Sequence, residues 1–207
     1  MISIIVAVDK NNNIGKDGDM LFMIPSYVDN FIELTEGKRV IMGRKTFESF
    51  ASKPLPNICN MIITNDEQKI LLSSKKILDA MKELEDKPEE ETSTVHSLLA
   101  DENNAVDFWY SMDTIKCFLR NEKNEVEEYD NPENEIFIIG GGEVFKELLP
   151  YCDRVYITKY DKLYLADTTF PTLDENEWKV TYESDKEKYD GFNYQSFVYD
   201  RVSGGIE

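Results

Sequence analysis

The sequence predicts an α/β fold with a mostly parallel central sheet, helices on both faces of the sheet and a C-terminal antiparallel hairpin. Three short and nearly continuous apolar runs, at residues 2–8, 40–42 and 136–139, are typical of parallel strands buried on both faces. Residues of helical period follow these runs, and apolar and polar residues alternate at 178–182 and 194–202, as in a hairpin. We expect a single domain over residues 1–207, because this length can bury a sizeable core.

The composition argues against several classes of partner. The formal net charge is −18, so nucleic acid and anionic membrane surfaces would be repelled. No apolar run approaches the roughly 20 residues that span a bilayer, and the N-terminus lacks a basic region followed by a cleavable apolar stretch. Cys59, Cys117 and Cys152 have neither metal-ligand spacing nor even pairing. We therefore expect a cytoplasmic protein with reduced thiols and no metal.

The N-terminal part begins with the strand at residues 2–8 and a polar turn at 9–13. A loop at residues 14–23 follows, in which Gly15 and Gly18 permit the backbone angles of a tight turn. Pro25 then suits the first position of a helix. The apolar positions of this helix share one face by their spacing: Ile24, Tyr27, Val28, Phe31 and Leu34.

Two segments have the pattern of phosphate-binding turns. Gly43, Arg44, Lys45 and Thr46 follow the strand at 40–42, where a helix should begin, and a helix start with a glycine and two cations favours an anion. The second segment, Gly140 to Gly142, follows the strand at 136–139 and precedes a helix that should start at residue 143 or 144. Three glycines there let the backbone approach a pyrophosphate closely.

The middle of the chain contains an acidic insertion, which we place at about residues 70–105 and 120–135. Between residues 82 and 135 there are 17 acidic and 5 basic residues. In the middle of the chain, the pattern predicts a helix at residues 77–84, an exposed linker at 86–91 and a capped helix that starts within 111–114. The simplest interpretation is that the insertion is a solvent-exposed segment outside the core. The alternative is that it forms a contact surface for a protein partner.

Four motifs resemble the dihydrofolate reductase family, in the same order and at similar spacing. They read MISIIVAVDKNNNIG at the start, VIMGRKTFESF at the first phosphate turn, IFIIGGGEVFKELLP at the glycine turn and VYITKYDKLYLADTTFP near the end. The resemblance covers almost the whole chain. It implies a reductase that uses NADPH to reduce a folate-like small molecule.

The resemblance also implies roles for individual residues. Met20 should close over the nicotinamide, and Thr158 stands where the family has a threonine bonded to its catalytic acid. The peptide between Gly140 and Gly141 should be cis. The predicted cofactor-binding residues are Ala7, Ile14, Gly15, Gly43, Arg44, Lys45, Thr46, Ile63, Thr64, Asn65, Gly140, Gly141, Gly142, Glu143, Val144 and Phe145. The predicted substrate-binding residues are Ile5, Val28, Phe31, Phe50, Leu55, Ile58 and Ile139.

Four positions depart from the family pattern. Tyr27 replaces the acidic residue that holds the pterin ring, and a phenol cannot form the charged bidentate pair of a carboxylate. Ile58 replaces the arginine that clamps the glutamate tail of folate, and the nearest alternative cation in sequence is Lys53. Phe22 replaces a tryptophan, and Glu143 replaces a base that many relatives have near the cofactor.

These departures leave three hypotheses open. The first is a divergent dihydrofolate reductase in which Tyr27, Thr158 and an ordered water manage protonation. The second is a nicotinamide-dependent reductase of another heterocycle that lacks a glutamate tail. The third is a nucleotide-binding protein without catalysis, in which the acidic insertion contacts a partner. The sequence favours the first, with Tyr27, Thr158 and Met20 as the catalytic candidates.

Overall fold

One large sheet organises the protein in its computed structural model, which describes residues 1–22, 24–85, 99–100, 106–124 and 134–202. Within these residues nine strands form this sheet. They are β1 (Ile2–Val8), β4 (Arg39–Gly43), β5 (Cys59–Ile63), β6 (Val106–Tyr110), β7 (Ile136–Gly140), β8 (Arg154–Tyr160), β10 (Trp178–Glu183), β11 (Glu187–Tyr189) and β12 (Phe192–Arg201). A second, three-stranded sheet contains β2 (Asn13–Lys16), β3 (Asp19–Met20) and β9 (Thr168–Thr169).

The strand directions confirm the predicted α/β class. The order β8-β1-β7-β4-β5-β6 is parallel throughout, while β12 lies antiparallel to β8, and β10 and β11 pair with β12. The buried pattern of β1, in which every residue has little exposed surface, is that of a central strand covered on both faces. The chain's alternating C-terminal residues form the antiparallel edge, as expected.

Five α-helices lie in the described parts of the chain. They are α1 (Pro25–Thr35), α2 (Arg44–Ser49), α3 (Glu67–Glu85), α4 (Met112–Asn124) and α5 (Gly142–Leu148), and a 3-10 turn follows α5 at Leu149–Tyr151. None of them has a stretch long and apolar enough to cross a membrane.

Helix α3 differs from its prediction, which placed a helix only at residues 77–84. It begins at Glu67, because the Asp66 carboxylate accepts hydrogen bonds from the backbone N–H groups of Gln68 and Lys69 and so caps the helix start. The Ser73 hydroxyl also accepts a hydrogen bond from the backbone of Trp109, which ties α3 to β6. Residues 70–85 of the predicted insertion are thus part of this helix. Residues 86–91, predicted as a linker, lie outside the described residues.

The loop predicted at residues 14–23 contains a short hairpin. Strands β2 and β3 pair through Gly15 and Met20, and positive φ angles at Asp17 and Gly18 make the turn between them. Strand β2 also pairs with β9, so backbone hydrogen bonds connect the hairpin to residues 168–169.

The core lies on both faces of the large sheet. Adjacent residues of a strand point to opposite faces, and Ile4 and Ile5 belong to different clusters of buried side chains. The cluster around Ile4 includes Leu119 of α4 and Phe145 of α5. The cluster around Ile5 includes Phe47 of α2, with Tyr27, Phe31 and Leu34 of α1 packed against it. Helices therefore cover both faces, as predicted.

Candidate active site

A cleft of about 1880 Å³ opens where the parallel strands end. Ala7, Gly43, Ile63 and Ile139 line it at or near the carboxyl ends of β1, β4, β5 and β7. Ligands of open α/β sheets bind at this edge, because short loops and helix starts converge there. All the predicted site residues line the cleft except Thr158 and Gly140.

The glycine turn forms one end of the cleft. Gly140 has a φ of +118°, and a Cβ there would lie 3.1 Å from the Phe145 ring. A Cβ at Gly142 would lie 2.7 Å from the Thr168 methyl group, so a side chain has no room at this position either. The Gly140–Gly141 peptide is cis, as the resemblance implied. Gly140 itself belongs to the turn but does not line the cleft.

Both short helices at this end begin on glycines. Gly43 precedes α2 and Gly141 precedes α5, and neither helix has a side chain that caps its first N–H groups. A Cβ on Gly43 would meet Val144 at 3.1 Å, which shows how closely the two helix starts approach each other. Uncapped N–H donors from two neighbouring helices, without side chains between them, make a cradle that fits phosphate groups.

The cations at this end of the cleft differ in their contacts with neighbouring side chains. The Arg44 guanidinium forms two hydrogen bonds with the Glu48 carboxylate, at 2.6 and 2.8 Å. Lys45 also lines the cleft. Lys69, which the sequence did not single out, lines the cleft as well, with its Nζ 4.1 Å from the centre of the Trp109 ring. Its position follows from the early start of α3, which the apolar pattern did not reveal.

Tyr27 lines the other end of the cleft from the inner face of α1. It is partly buried beside Ile5, Phe31 and Phe50. Burial raises the pKa of the Tyr27 phenol above its ordinary value, so the side chain stays neutral at physiological pH. A neutral phenol can donate a hydrogen bond to a ligand, but it cannot form an ion pair with one.

Thr158 lies beneath the cleft and does not line it. It is 6% exposed on β8, opposite Ala7 of β1 and Ser196 of β12. Its hydroxyl oxygen is 3.2 Å from the Ser196 hydroxyl oxygen. The predicted contribution of Thr158 to protonation therefore has to act through groups between it and the cleft.

Tyr27 packs against a cluster of buried aromatic side chains that includes Phe22 and Tyr160. Phe22 stacks on Tyr160 with ring centres 4.1 Å apart and meets Tyr164 edge to face. Burial, followed by the nearby Tyr27, raises the pKa of Tyr160. Its hydroxyl is buried and has no hydrogen-bond partner among the described residues. The stack joins distant parts of the chain, and no local pattern in the sequence indicated it.

Met20 is 38% exposed at the end of β3, where it pairs with Gly15 of β2 and lines the cleft. The hairpin is anchored by the Asp167 carboxylate, which accepts a hydrogen bond from the Asp17 N–H at 2.8 Å. The buried Asp9 carboxylate organises the preceding turn. Burial raises the pKa of Asp9, but hydrogen bonds from Asn13 and Tyr164 outweigh this effect and lower it overall.

The end of the cleft beside Tyr27 is apolar. Ile58 is 4% exposed and packs into the core beneath the cleft. Lys53, the alternative cation for a substrate tail, does not line the cleft. The predicted residues that form this wall are Ile5, Val28, Phe31, Phe50, Leu55, Ile58 and Ile139.

The fold and the cleft have the architecture of α/β proteins that bind a nucleotide at the carboxyl ends of parallel strands. Comparison with known proteins is more specific. The dihydrofolate reductase family model matches residues 1–97 and 104–201. The chain belongs to the dihydrofolate reductase family.

Individual relatives cover nearly the whole chain. The dihydrofolate reductase of Bacillus subtilis (strain 168) is 30% identical over 203 residues, which are 97% of this chain and 95% of the relative. The Haemophilus influenzae dihydrofolate reductase is 32% identical over 181 residues, 87% of this chain and 85% of the relative. Among solved structures, Enterococcus faecalis dihydrofolate reductase complexed with NADP(H) and RAB-propyl has the same fold. Its TM-score is 0.65 at 24% identity, and the match covers 97% of this chain and 96% of that chain.

Proposed function

We propose that this protein is an oxidoreductase that uses NADPH to reduce 7,8-dihydrofolate to tetrahydrofolate. One observation carries the proposal: a single cleft joins the glycine cradle and its cations to an apolar pocket that contains Tyr27. Membership of the dihydrofolate reductase family supports the same reaction. Unpaired cysteines suit a cytoplasmic location, where tetrahydrofolate would serve one-carbon metabolism.

The glycine end of the cleft is the proposed NADPH site. Gly43 and the turn of Gly141 and Gly142 would receive the pyrophosphate against uncapped helix N–H groups. Arg44, Lys45 and the side chains of Thr64 and Asn65 would surround the 2′-phosphate. The remaining proposed cofactor contacts are Ala7, Ile14, Gly15, Thr46, Ile63, Glu143, Val144 and Phe145.

The reaction needs one hydride and one proton. When bound, NADPH supplies the hydride to C6 of the dihydropterin ring. The proton joins N5, the C=N double bond becomes a single bond, and NADP⁺ and tetrahydrofolate leave. Met20 and the β2–β3 hairpin would cover the reacting carbons and exclude bulk water from them.

The source of the proton distinguishes this chain from a reductase with a carboxylate. Tyr27 stays neutral, so we assign it the task of donating a hydrogen bond to the pterin edge and orienting a water. The proton itself would come from solvent through that water. This route lacks the electrostatic assistance of a carboxylate, so we expect slow turnover.

A substitution at residue 27 tests the proposal. Steady-state oxidation of NADPH with saturating dihydrofolate is measured for the wild type, Tyr27→Asp and Tyr27→Asn. Asparagine has the shape of aspartate but no charge. We expect detectable wild-type turnover and a gain in kcat/KM of about a hundredfold in Tyr27→Asp, the low end of the usual contribution of general acid–base catalysis. Tyr27→Asn should show no such gain.

Each outcome has a defined meaning. Turnover by Tyr27→Asp alone would mean an intact scaffold whose folate chemistry is lost at one position. Absence of turnover in all three proteins, with NADPH still bound, would contradict the proposed reaction and favour another substrate or a binding protein without catalysis.

A further inference from the structure

The charged residues that line the cleft are distributed asymmetrically. The lysine and arginine residues among the described lining residues lie on the β2–β3 hairpin, α2, the start of α3 and α5. They are Lys16, Arg44, Lys45, Lys69 and Lys146. None of them lies on α1 or on the segment at residues 55–58, which form the substrate end. A ligand group at that end meets no positive side chain among the residues described.

One carboxylate lies at the rim of the substrate end. Glu36 directly follows α1 and lines the cleft together with Ile32 of that helix and Asn57. The Asn57 side chain donates a hydrogen bond to the Glu36 carboxylate at 3.4 Å. The Gly37 N–H donates to the Asn57 carbonyl at 2.8 Å, and the Glu36 N–H to the Ile32 carbonyl at 3.0 Å. These contacts hold the acid at the mouth of the pocket.

Among the described residues that line the cleft, no lysine or arginine at this end offsets the negative charge of Glu36 for an anionic ligand. Ile58 is apolar and buried, and Lys53 does not line the cleft. An incoming carboxylate would therefore face a like charge with no counter-ion beside it, an unfavourable arrangement that solvent and salt weaken but do not reverse. A neutral tail would not be penalised, and a cationic tail would be attracted.

We propose that this site prefers dihydropterin substrates whose side chain is neutral or cationic, and that Glu36 is the residue that selects against carboxylate tails. The inference rests on the proposed function, because it concerns the tail of the same substrate. It assigns dihydrofolate, with its two carboxylates, to the disfavoured end of the substrate range. A dihydropterin with a neutral tail is the favoured class.

The test compares two substrates that differ only in tail charge, 7,8-dihydrofolate and its dimethyl ester, with saturating NADPH at low salt. We expect the wild-type KM for dihydrofolate to exceed that for the ester by about fivefold, the scale of a partly screened charge interaction. Glu36→Gln should lower the dihydrofolate KM by about twofold and Glu36→Lys by about fivefold or more, as expected for an exposed charge. Neither variant should change the KM for the ester.

Matched controls separate tail selection from general effects. Glu33→Gln removes an exposed acid of α1 that does not line the cleft and should leave both KM values unchanged. Added salt should bring the two wild-type KM values together. Equal KM values for the two substrates in the wild type, or an unchanged ratio in Glu36→Lys, would overturn the inference.

A failure of the proposed reaction has a different signature. If neither substrate is reduced, the proposed function fails, and the Kd values of folate and folate dimethyl ester then decide the tail preference. Tighter binding of the ester by the wild type, with the difference lost in Glu36→Lys, would support the role of Glu36. Equal binding of both ligands would refute it.

Discussion

Single residues determine how far this chain follows its family. Tyr27 and Ile58 stand where the family pattern has an acid and an arginine, and both differences remove charge from the proposed substrate end of the cleft. The structure places both residues at that end, Tyr27 partly exposed to the cleft and Ile58 buried in its floor. The only acid among the described residues that line this end, Glu36, lies at the rim instead of next to the pterin site. The ring would therefore be recognised by shape and neutral hydrogen bonds.

A second acid, Glu135, is buried away from the cleft. Glu135 is 6% exposed and accepts a hydrogen bond from the Ser3 hydroxyl, at the end of the sheet opposite the cleft. Burial raises its pKa, although Ser3, Arg154, the N-terminus and Lys38 partly offset the effect. Because the folded state holds the proton more tightly than the unfolded chain, the stability due to this group is full below the unfolded pKa. It is lost as the pH rises through the folded pKa.

We therefore predict that Glu135→Gln stabilises the protein at high pH. The amide is neutral at every pH and can still accept the hydrogen bond from Ser3. Its Tm should exceed that of the wild type at pH 8, and the two values should converge as the pH falls toward about 4, near the ordinary pKa of a glutamate. Calorimetry across this range measures the difference. A Tm difference that is independent of pH would contradict the assignment.

At the level of elements, the start of α3 and the helix α2 line the proposed cofactor end of the cleft. Trp109 of β6 is fixed by the hydrogen bond from its indole N–H to the Asp107 carboxylate at 2.8 Å and by edge-to-face contact with Phe47 of α2. This ring holds Lys69 at the cleft by a cation–π contact. Arg44 is engaged by Glu48 on its own helix. Lys69, unlike Arg44, is thus a cation at the cleft that does not form an ion pair with Glu48.

These contacts predict which residues discriminate NADPH from NADH. Lys69→Gln should raise the KM for NADPH by about fivefold, the equivalent of about 1 kcal/mol, and leave that for NADH unchanged. Glu48→Gln should lower the KM for NADPH, because it releases the Arg44 guanidinium. Lys76→Gln, on an exposed part of α3 away from the cleft, is the matched control. Equal effects of Lys69→Gln on the two cofactors would argue against this role.

For the molecule as a whole, the sequence predicted what local patterns encode. Buried parallel strands appear as continuous apolar runs, so β1, β4 and β7 were placed correctly, and the alternating residues of β10 and β12 identified the antiparallel edge. The two glycine turns were also predicted correctly, because each lies directly after one of these apolar runs in the sequence. The early start of α3 was missed because Leu71 and Leu72 are exposed, so the helix has no continuous buried stripe there.

The rest depends on contacts between distant segments. The pairing of β8 with β1 and β12 places Thr158 beneath the cleft, and a motif match cannot reveal such a position. The Phe22–Tyr160 stack and the contact of Asn57 with Glu36 likewise join residues from separate elements. Local periodicity carries no information about these pairs.

The central claim is that the cleft transfers a hydride from NADPH to a dihydropterin ring without a carboxylate at position 27. The most direct measurement uses NADPH deuterated at the transferable position of the nicotinamide, with wild-type protein and dihydrofolate, followed by mass spectrometry of the pterin product. We predict tetrahydrofolate that carries one deuterium at C6. Bound but unoxidised NADPH together with unchanged dihydrofolate would contradict the claim.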